Sequence, residues 1–401
     1  NPYTPVVLSN ENYIFTQTFQ VPTTTGTVAT RKDVIEEVQY FDGLGRPKQH
    51  IGIKQSASGK DIVTHMAYDD FGRQDKEFLP YPATSANGAL QADALTATTD
   101  YYITHFSSEI NAANPNPFSQ KDFDNSPLNR VLQQAAPGEA WQLGGGHEIG
   151  FEYTSNKASE VRSYAVALSS TYSPSLTGGT SYYETGELYK TITKDENHSG
   201  NSSNHTTEEF KNKQGQVVLK RTYNDEEPHD TYYVYDDYGN LTYVLPPKSE
   251  AHSEKPSAVA LAELCYQYTY DHRNRLVEKK IPGKGWEHIV YDNLDRPVLT
   301  QDAVQRAKTN KEWLFTKYDA LGRVVYTGMY QDQRDRKALQ EEEFDSKTAT
   351  ENYETKQDAG TLNIYYSNSH FPSANLEVFT VNYYDNYMRE RQIYFYVILK
   401  L

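Results

Sequence analysis

The chain has 401 residues, a formal net charge of −15, 34 tyrosines and one cysteine, and its mean hydropathy is −0.78. This acidic balance argues against a surface for nucleic acid or anionic lipid, and no apolar run approaches the roughly 20 residues of a transmembrane helix. The high aromatic content excludes a disordered chain, and the single cysteine excludes an intrachain disulfide.

The first part of the chain is predicted as strands followed by an insertion rich in loops. Residues 1–30 are polar and threonine-rich, and we expect a lead strand and a loop. Residues 31–80 contain two hairpins, which complete an N-terminal domain over residues 1–82. Residues 83–148 are small, polar and contain proline, which predicts an insertion of short helices and surface loops.

The second part is predicted as hairpins with helical interruptions. Residues 149–330 return to strands and form one shell segment, with a short helix near 303–313. Residues 253–267 are predicted as one helix, since Ser and Pro stand at the start and Ala and Leu follow. Residues 332–344 are predicted as a charged, exposed helix. This helix and the terminal strands make up the last region, residues 331–401.

An aromatic residue followed by Asp, two variable residues and Gly-Arg recurs along the chain, as in YDALGRVV from Tyr318. Asp suits the first position of a β-turn, where its carboxylate accepts a backbone N–H two residues on. The fourth position holds Gly, Asn or Asp, the residues that best tolerate a left-handed backbone. A catalytic glycine has no reason to be replaced by Asn or Asp, so the variation favours a repeated turn over a repeated catalytic motif. The predicted turn residues are Asp42, Gly45, Arg46, Asp69, Gly72, Arg73, Asp236, Gly239, Asp271, Asn274, Arg275, Asp292, Asp295, Arg296, Asp319, Gly322 and Arg323.

The segments around these turns predict antiparallel hairpins. Alternating aromatic and β-branched residues precede each Asp, as in YQYTYD, and a short run closed by Pro or Gly often follows the turn. The Arg after the turn can reach the Asp that opens it, as an exposed pair worth about 0–1 kcal/mol. Degenerate copies begin at Tyr182 and Phe210, and YYDNY at 383–387 lacks the Gly-Arg.

The array resembles the Rhs/YD-repeat proteins, which are named for this Tyr-Asp motif. The front of the chain, ENYIFTQTFQ followed by IEEVQYFDGLGRPKQHIGIKQSASGKDIVTHMAYDDFGRQDKEFLPYP, resembles the uncharacterised domain that precedes such arrays in secreted bacterial proteins. The resemblance covers most of residues 11–387. It implies a mainly β fold in which antiparallel hairpins wind into part of a shell, or cocoon, with a few short helices in insertions. It also implies a secreted or cell-surface protein whose shell encloses a toxic or otherwise active C-terminal cargo.

No motif in the sequence predicts a catalytic, cofactor or metal site. GGGHEIGF contains His147 and Glu148 but lacks the second His of a zinc-protease helix, which predicts a flexible turn. DENHSGNSSNHT, from Asp195, matches a calcium loop at three positions but has Thr206 where Glu is required, which predicts a solvated hairpin tip. Rhs-type shells often end in an Asp-Pro-containing self-cleavage segment. This sequence has no Asp-Pro, a departure from the family pattern that bears on both self-processing and the presence of the cargo.

Two functions from different classes fit these features. The first is a non-enzymatic structural shell segment that encloses or delivers a C-terminal toxin or effector. The alternative is an extracellular adhesin or glycan-binding module that uses a tyrosine-rich sheet surface; an enzyme acting on polysaccharide is less favoured. The nearly all-apolar residues 393–401 predict a buried strand at an open sheet edge. The open edge predicts association with a second copy of the chain, and the resemblance implies a downstream cargo domain as a partner. Neither nucleic acid nor a membrane is expected as a partner.

Overall fold

The computed structural model describes residues 6, 8–22, 30–347, 352–357 and 364–384. Within them the fold is mainly β, with antiparallel sheets and a few short helices. The predicted fold class is confirmed at this level. The predicted terminal strand at 393–401 lies outside the described residues.

The elements are numbered in chain order. The strands are β1 (Tyr13–Phe19), β2 (Val34–Phe41), β3 (Pro47–Gly52), β4 (Ile62–His65), β5 (Lys76–Phe78), β6 (Tyr81–Pro82), β7 (Phe118–Phe123), β8 (Val131–Ala135), β9 (Ile149–Ser155), β10 (Arg162–Leu168), β11 (Pro174–Tyr182), β12 (Tyr189–Lys194), β13 (Thr206–Lys211), β14 (Val217–Asn224), β15 (Glu227–Tyr235), β16 (Leu241–Leu245), β17 (Tyr266–Tyr270), β18 (Leu276–Ile281), β19 (Gly285–Tyr291), β20 (Pro297–Gln301), β21 (Glu312–Tyr318), β22 (Val324–Gln331) and β23 (Leu376–Val381). The α-helices are α1 (Ala94–His105), α2 (Ala258–Leu264), α3 (Ala303–Ala307) and α4 (Arg336–Gln340). Single turns of other helix types are Arg31–Asp33, Glu139–Trp141, Pro247–Ser249 and Glu341–Asp345.

The chain divides into two compact units. Unit 1 comprises Asn1–Thr154, Lys190–Glu209 and Thr222–Pro228. Unit 2 comprises Ser155–Tyr189, Phe210–Arg221 and His229–Leu401. Strands β12 to β15 contribute residues to both units.

Unit 1 contains a five-stranded antiparallel sheet in the order β1-β2-β3-β4-β6. In β2, burial alternates between successive residues, as expected for a strand with one face on a core. Val38 and Tyr40 from this face pack with Ile51 of β3 and Val63 of β4, and Ala94 at the start of α1 joins the same core. Strands β5, β7, β8 and β9 pair in that order through residues of the same unit.

In unit 2, the strands from β15 to β23 pair antiparallel with their neighbours in chain order. A register shift occurs at the last pair before each predicted turn, for example between Lys317 and Tyr318 where β21 meets β22. Such a bulge inserts one extra residue and increases the local twist. The turns therefore determine the register of each hairpin.

Two apolar cores stabilise unit 2. One contains Phe210, Leu219, Leu245 and Cys265. Burial raises the pKa of the Cys265 thiol to about 11, which makes this cysteine a packing residue at neutral pH. The other core is built around Trp313, Phe315 and Tyr326, and Leu339 of α4 also lies in it.

The predicted exposed helix at 332–344 is wrong in length and in exposure. Only Arg336–Gln340 is α-helical, and a single π-helical turn, Glu341–Asp345, follows it. Leu339 and Phe344 are buried in the second core of unit 2, and Arg336 Nε lies 2.9 Å from Glu278 Oε1. The charged sequence concealed this apolar face because the helix is too short to display a periodic pattern.

Two other segments also differ from the prediction. The helix predicted at 253–267 is restricted to Ala258–Leu264, capped by the Ser257 side chain, because the chain continues into β17 from Tyr266. The insertion predicted at 83–148 contains the α1 helix and also a hairpin formed by β7 and β8. No helix in the described ranges is long and apolar enough to cross a bilayer.

Candidate functional site

The six copies of the predicted motif form one kind of turn, which Asp319 illustrates. Its carbonyl accepts the N–H of Gly322 (2.9 Å), and its own N–H donates to the carbonyl of Arg323 (3.0 Å). Its Oδ1 accepts the N–H groups of Leu321 (3.0 Å) and Arg323 (2.9 Å). One carboxylate oxygen thus closes the turn, and the other is left for the arginine side chain.

The fourth residue of all six turns has a positive φ. This is the left-handed region, which explains why only Gly, Asn and Asp occupy the position. The φ values are 78° for Gly45, 77° for Gly72, 83° for Gly239, 59° for Asn274, 61° for Asp295 and 77° for Gly322.

In five of the turns the Arg side chain returns to the opening Asp. The Nε to Oδ2 distances are 2.8 Å for Arg46–Asp42, 2.7 Å for Arg73–Asp69, 2.8 Å for Arg275–Asp271, 2.8 Å for Arg296–Asp292 and 2.7 Å for Arg323–Asp319. The sixth turn uses Asn240, whose Nδ2 lies 3.0 Å from Asp236 Oδ2.

The expectation that these pairs are exposed is wrong for two turns. The Arg275 side chain is 7% exposed, and the Asp292 side chain is 2% exposed. A buried pair that loses one partner leaves an uncompensated charge, which is far more costly than losing an exposed pair.

The turns from Asp42 and Asp319 stabilise the ionised form of their carboxylates. The backbone N–H of Arg46 lowers the pKa of Asp42 against a smaller opposing effect of burial. Burial alone would raise the pKa of Asp319, but the N–H and guanidinium of Arg323 outweigh it and lower that pKa. A carboxylate held in this form is a permanent hydrogen-bond acceptor and a poor proton donor.

Five of the six predicted turns, and Arg130 as well, also contact a following segment of the chain through an arginine over an aromatic ring. In five of these six contacts, the ring belongs to the residue immediately before the next Asp of the chain's aromatic-Asp pattern. The distances from the guanidinium carbon to the ring centroid are 4.3 Å for Arg46 over Tyr68, 4.6 Å for Arg73 over Phe123, 5.0 Å for Arg130 over Tyr153, 5.0 Å for Arg275 over Tyr291, 4.5 Å for Arg296 over Tyr318 and 4.3 Å for Arg323 over Tyr384.

The tyrosine hydroxyl makes a second link. It donates to the carbonyl of the residue that directly follows the preceding turn. The O–O distances are 2.8 Å for Tyr68 to Pro47, 2.9 Å for Tyr153 to Val131, 3.1 Å for Tyr235 to Val217, 3.0 Å for Tyr270 to Leu241, 2.8 Å for Tyr291 to Leu276, 2.7 Å for Tyr318 to Pro297 and 3.0 Å for Tyr384 to Val324.

This hydrogen bond persists where the arginine is absent. Tyr235 follows a turn that ends in Gln216, and Tyr270 follows a turn that ends in Asn240. The hydroxyl therefore accounts for the Tyr of the Tyr-Asp motif, since phenylalanine could not make the bond. We call the combined arginine–ring and hydroxyl–carbonyl contacts the turn-to-turn link. This link was not predicted from the sequence, although the recurrence of Tyr before Asp was a signal of it.

Two further turns of the same kind were not predicted from the sequence. Asp124 binds the N–H (3.1 Å) and the Nε (2.7 Å) of Arg130 across a longer loop that contains Asn129 with φ 50°. At Ser169, the hydroxyl replaces the carboxylate and accepts the N–H of Ser173 (3.0 Å). Its left-handed position holds Tyr172, with φ 58°, at a cost of about 1–2 kcal/mol. The changed loop length and the Ser in place of Asp hid these copies.

The two segments considered for metal binding form local turns. Glu148 accepts the N–H groups of Gly144 (3.2 Å) and Gly146 (2.8 Å). The N–H of Asp195 donates to the carbonyl of His205 (2.9 Å) at the base of a hairpin loop. The described part of the chain contains no group of three or more His, Cys, Asp or Glu side chains placed to hold a metal ion.

Comparison with known proteins gives a match at the front of the chain. A family described as "Domain of unknown function (DUF6443)" matches residues 15–155. No curated protein matches the sequence.

Among solved structures, the chain is similar to TcdB2-TccC3, at 13% identity and a TM-score of 0.43, over 75% of this chain and 13% of that chain. It is also similar to TcdB2-TccC3 without its hypervariable C-terminal region, at 14% identity and a TM-score of 0.44, over 74% of this chain and 12% of that chain. The Photorhabdus luminescens Tc holotoxin pore matches at 14% identity and a TM-score of 0.41, over 75% of this chain and 13% of that chain. The chain thus spans a small part of the length of the proteins it matches.

Proposed function

We propose that this chain is a non-enzymatic structural segment of a secreted Rhs/YD-repeat shell, which encloses or delivers a C-terminal toxin or effector. The observation that supports this function best is the turn-to-turn link. Arg296 lies over the ring of Tyr318, and the Tyr318 hydroxyl donates to the carbonyl of Pro297. The most recurrent motif of the chain is thus used to attach each hairpin to the next.

The polar atoms of the motif already make hydrogen bonds within the turn. In the turn from Asp292, both carboxylate oxygens accept hydrogen bonds from Arg296. A general base or nucleophile needs free lone pairs directed at a substrate. The arrangement therefore supports a building element and gives no support to a repeated catalytic one.

Each turn-to-turn link stabilises the contact between two neighbouring hairpins, and these contributions accumulate along the array. A cation–π contact contributes about 0.5–1 kcal/mol at a partly exposed site, and a neutral hydrogen bond contributes about 1 kcal/mol. In repeat proteins such nearest-neighbour terms add along the array and suppress local opening. A wall that rarely opens suits a protein that must shield cargo from proteases.

Proteolysis of the full native polypeptide, with whatever its gene encodes after Leu401, tests this function. We expect the cargo to resist protease, and the double substitution Arg296→Met and Tyr318→Leu to expose it. Lys308→Met, which changes a lysine of the same unit that is 48% exposed, is the control and should leave protection unchanged. Cargo that is cleaved as fast as a free polypeptide would contradict the proposal.

The non-enzymatic character has its own test. We expect the purified chain to leave peptide, ester, phosphate and glycoside substrates intact. A hydrolytic activity that disappears on substitution of one His, Asp or Glu would overturn this part of the proposal.

Association with another chain is part of the same proposal. In the described residues, β23 pairs with β22 alone and forms the end of its sheet. An exposed edge strand presents unpaired backbone groups to any further strand. We expect the chain to dimerise through such an edge, and size measurement across a dilution series should show a concentration-dependent mass. A constant monomer mass would contradict it.

The alternative, glycan binding, is favoured by one cavity in unit 2. It has a volume of about 520 Å³ and is lined by Tyr172, Tyr270, His272, Glu278 and Trp286, among others. Aromatic faces beside carboxylates are a common arrangement in polar-ligand pockets. A glycan array would identify a ligand, and Trp286→Ala should remove the signal if the cavity is the site.

A further inference from the structure

A second cavity lies within unit 1, where the end of α1 meets the turn Glu139–Trp141. Its volume is about 670 Å³, which is within the range of small-molecule sites. Three aromatic side chains, Tyr102, Phe106 and Trp141, are among its lining residues. The Tyr102 and Phe106 rings stack, with centroids 5.2 Å apart and an interplanar angle of 29°.

The charge of this cavity has one sign. Glu109 and Glu139 line it, and its lining contains no Lys, Arg or His. Carboxylates without a cationic neighbour raise the local affinity for positive charge. The cavity therefore combines aromatic rings with two carboxylates and no basic lining residue, and the nearest basic ring to Trp141 is that of His147, 5.1 Å away between centroids.

The frame of the cavity is held by hydrogen bonds. The N–H of Glu139 donates to the carbonyl of Glu109 (2.7 Å), and Asn111 Nδ2 donates to Glu139 Oε1 (2.6 Å). Asn116, which is 5% exposed, donates from Nδ2 to the carbonyl of the lining residue Gly138 (2.7 Å). The two carboxyl-bearing segments are thus tied together before any ligand arrives, which reduces the entropic cost of binding.

The aromatic side chains are open to solvent at this place. Phe106 is 40% exposed and Trp141 is 42% exposed. Aromatic faces carry the negative part of the ring quadrupole and attract cations, most strongly for Trp. From these features together we infer that the cavity binds an alkylammonium group, either a small quaternary ammonium compound or the ammonium of a lysine side chain.

Binding of choline to the intact chain tests the inference, with 3,3-dimethylbutan-1-ol as the neutral compound of the same shape. A titration in amine-free phosphate buffer follows Trp fluorescence in a Trp286→Phe background, where Trp141 is the remaining exposed tryptophan because Trp313 is fully buried. We expect choline to bind about tenfold more tightly than the alcohol. Equal affinity for the two compounds, or no response to choline, would overturn the inference.

A parallel titration with Nα-acetyl-lysine amide separates the two sources of the ammonium group. Tighter binding of choline indicates a quaternary ligand, and tighter binding of the lysine derivative indicates a polypeptide side chain. Both outcomes support the site.

Substitutions of the two lining carboxylates test whether they cause the preference for choline. Glu109→Gln with Glu139→Gln removes both charges and should weaken choline binding about tenfold while leaving the alcohol unaffected. Glu77→Gln is the matched control, because Glu77 is a surface carboxylate of the same unit that pairs with Lys121. An equal loss in the control would show a general charge effect and contradict the site. Circular dichroism of each variant establishes that the fold is retained.

Discussion

Lys317 Nζ lies 2.7 Å from Glu354 Oε1, and the two side chains are 3% and 1% exposed. The carboxylate also accepts the Ser367 hydroxyl (2.6 Å) and the N–H of Ser369 (2.9 Å). Burial alone would raise the pKa of Glu354, but Lys317 and these donors outweigh it and hold that pKa below its usual value. Burial also lowers the pKa of Lys317. Both groups therefore depend on each other to remain charged inside unit 2.

Replacing Lys317 by Met should reduce the free energy of unfolding by about 3–5 kcal/mol, because it leaves the Glu354 carboxylate buried without a counter-charge. Urea denaturation measures this. Lys308→Met removes a lysine that is 48% exposed from its pair with Glu312 and should cost less than about 1 kcal/mol. Equal effects of the two substitutions would contradict the importance of burial.

The left-handed position of the turns can be tested within a single turn. Gly45 has a φ of 78°, whereas Gly43 has no positive φ, and a Cβ at either residue meets nothing within 4 Å. Gly45→Ala should therefore destabilise the protein by about 1–2 kcal/mol through backbone strain alone. Gly43→Ala should be neutral or slightly stabilising. A comparison of urea midpoints checks this, and equal midpoints would contradict the turn geometry.

A change at position 240 should add an arginine–ring contact that the chain lacks. Tyr270 already donates its hydroxyl to the carbonyl of Leu241, but the turn before it ends in Asn240. Asn240→Arg should place a guanidinium over the Tyr270 ring and stabilise unit 2 by about 0.5–1 kcal/mol.

Thermal or urea denaturation measures the gain at position 240. The same substitution in a Tyr270→Leu background has no ring to contact and should give no gain. A gain of the same size in both backgrounds would mean that the added arginine acts by another route.

Acid should destabilise the chain through His288. Burial and the nearby Arg306 lower the pKa of His288 to about 4. Between the ordinary pKa of about 6.5 and this value, the unfolded chain binds a proton at His288 that the folded chain does not bind. The free energy of unfolding should therefore fall as pH falls through this window, by about 3 kcal/mol at most.

Urea midpoints at several pH values between 7 and 4 check the His288 prediction. His288→Gln should flatten the pH dependence. Burial also lowers the pKa of His65 in unit 1. His65→Gln therefore measures how much of the pH dependence of unfolding comes from a buried histidine of unit 1. Curves of identical slope for wild type and His288→Gln would contradict the assignment.

The hairpins and their turns could be predicted from the sequence because each turn is closed by hydrogen bonds between residues that are close in the sequence. Asp319 and Arg323 are four residues apart, and the hydrogen bonds that close their turn form within that distance. The tolerance of Asn274 for positive φ belongs to the residue itself. Such properties can be predicted from a few neighbouring residues.

Tertiary structure alone decided which turns and rings meet. Arg296 and Tyr318 are joined only when their hairpins lie side by side, and Lys317 finds Glu354 at a separation of 37 residues. The aromatic cavity of unit 1 likewise forms only because Tyr102 and Trp141 are brought together by the packing of a helix and a distant turn. These contacts depend on long-range packing, whose register no short stretch of sequence encodes.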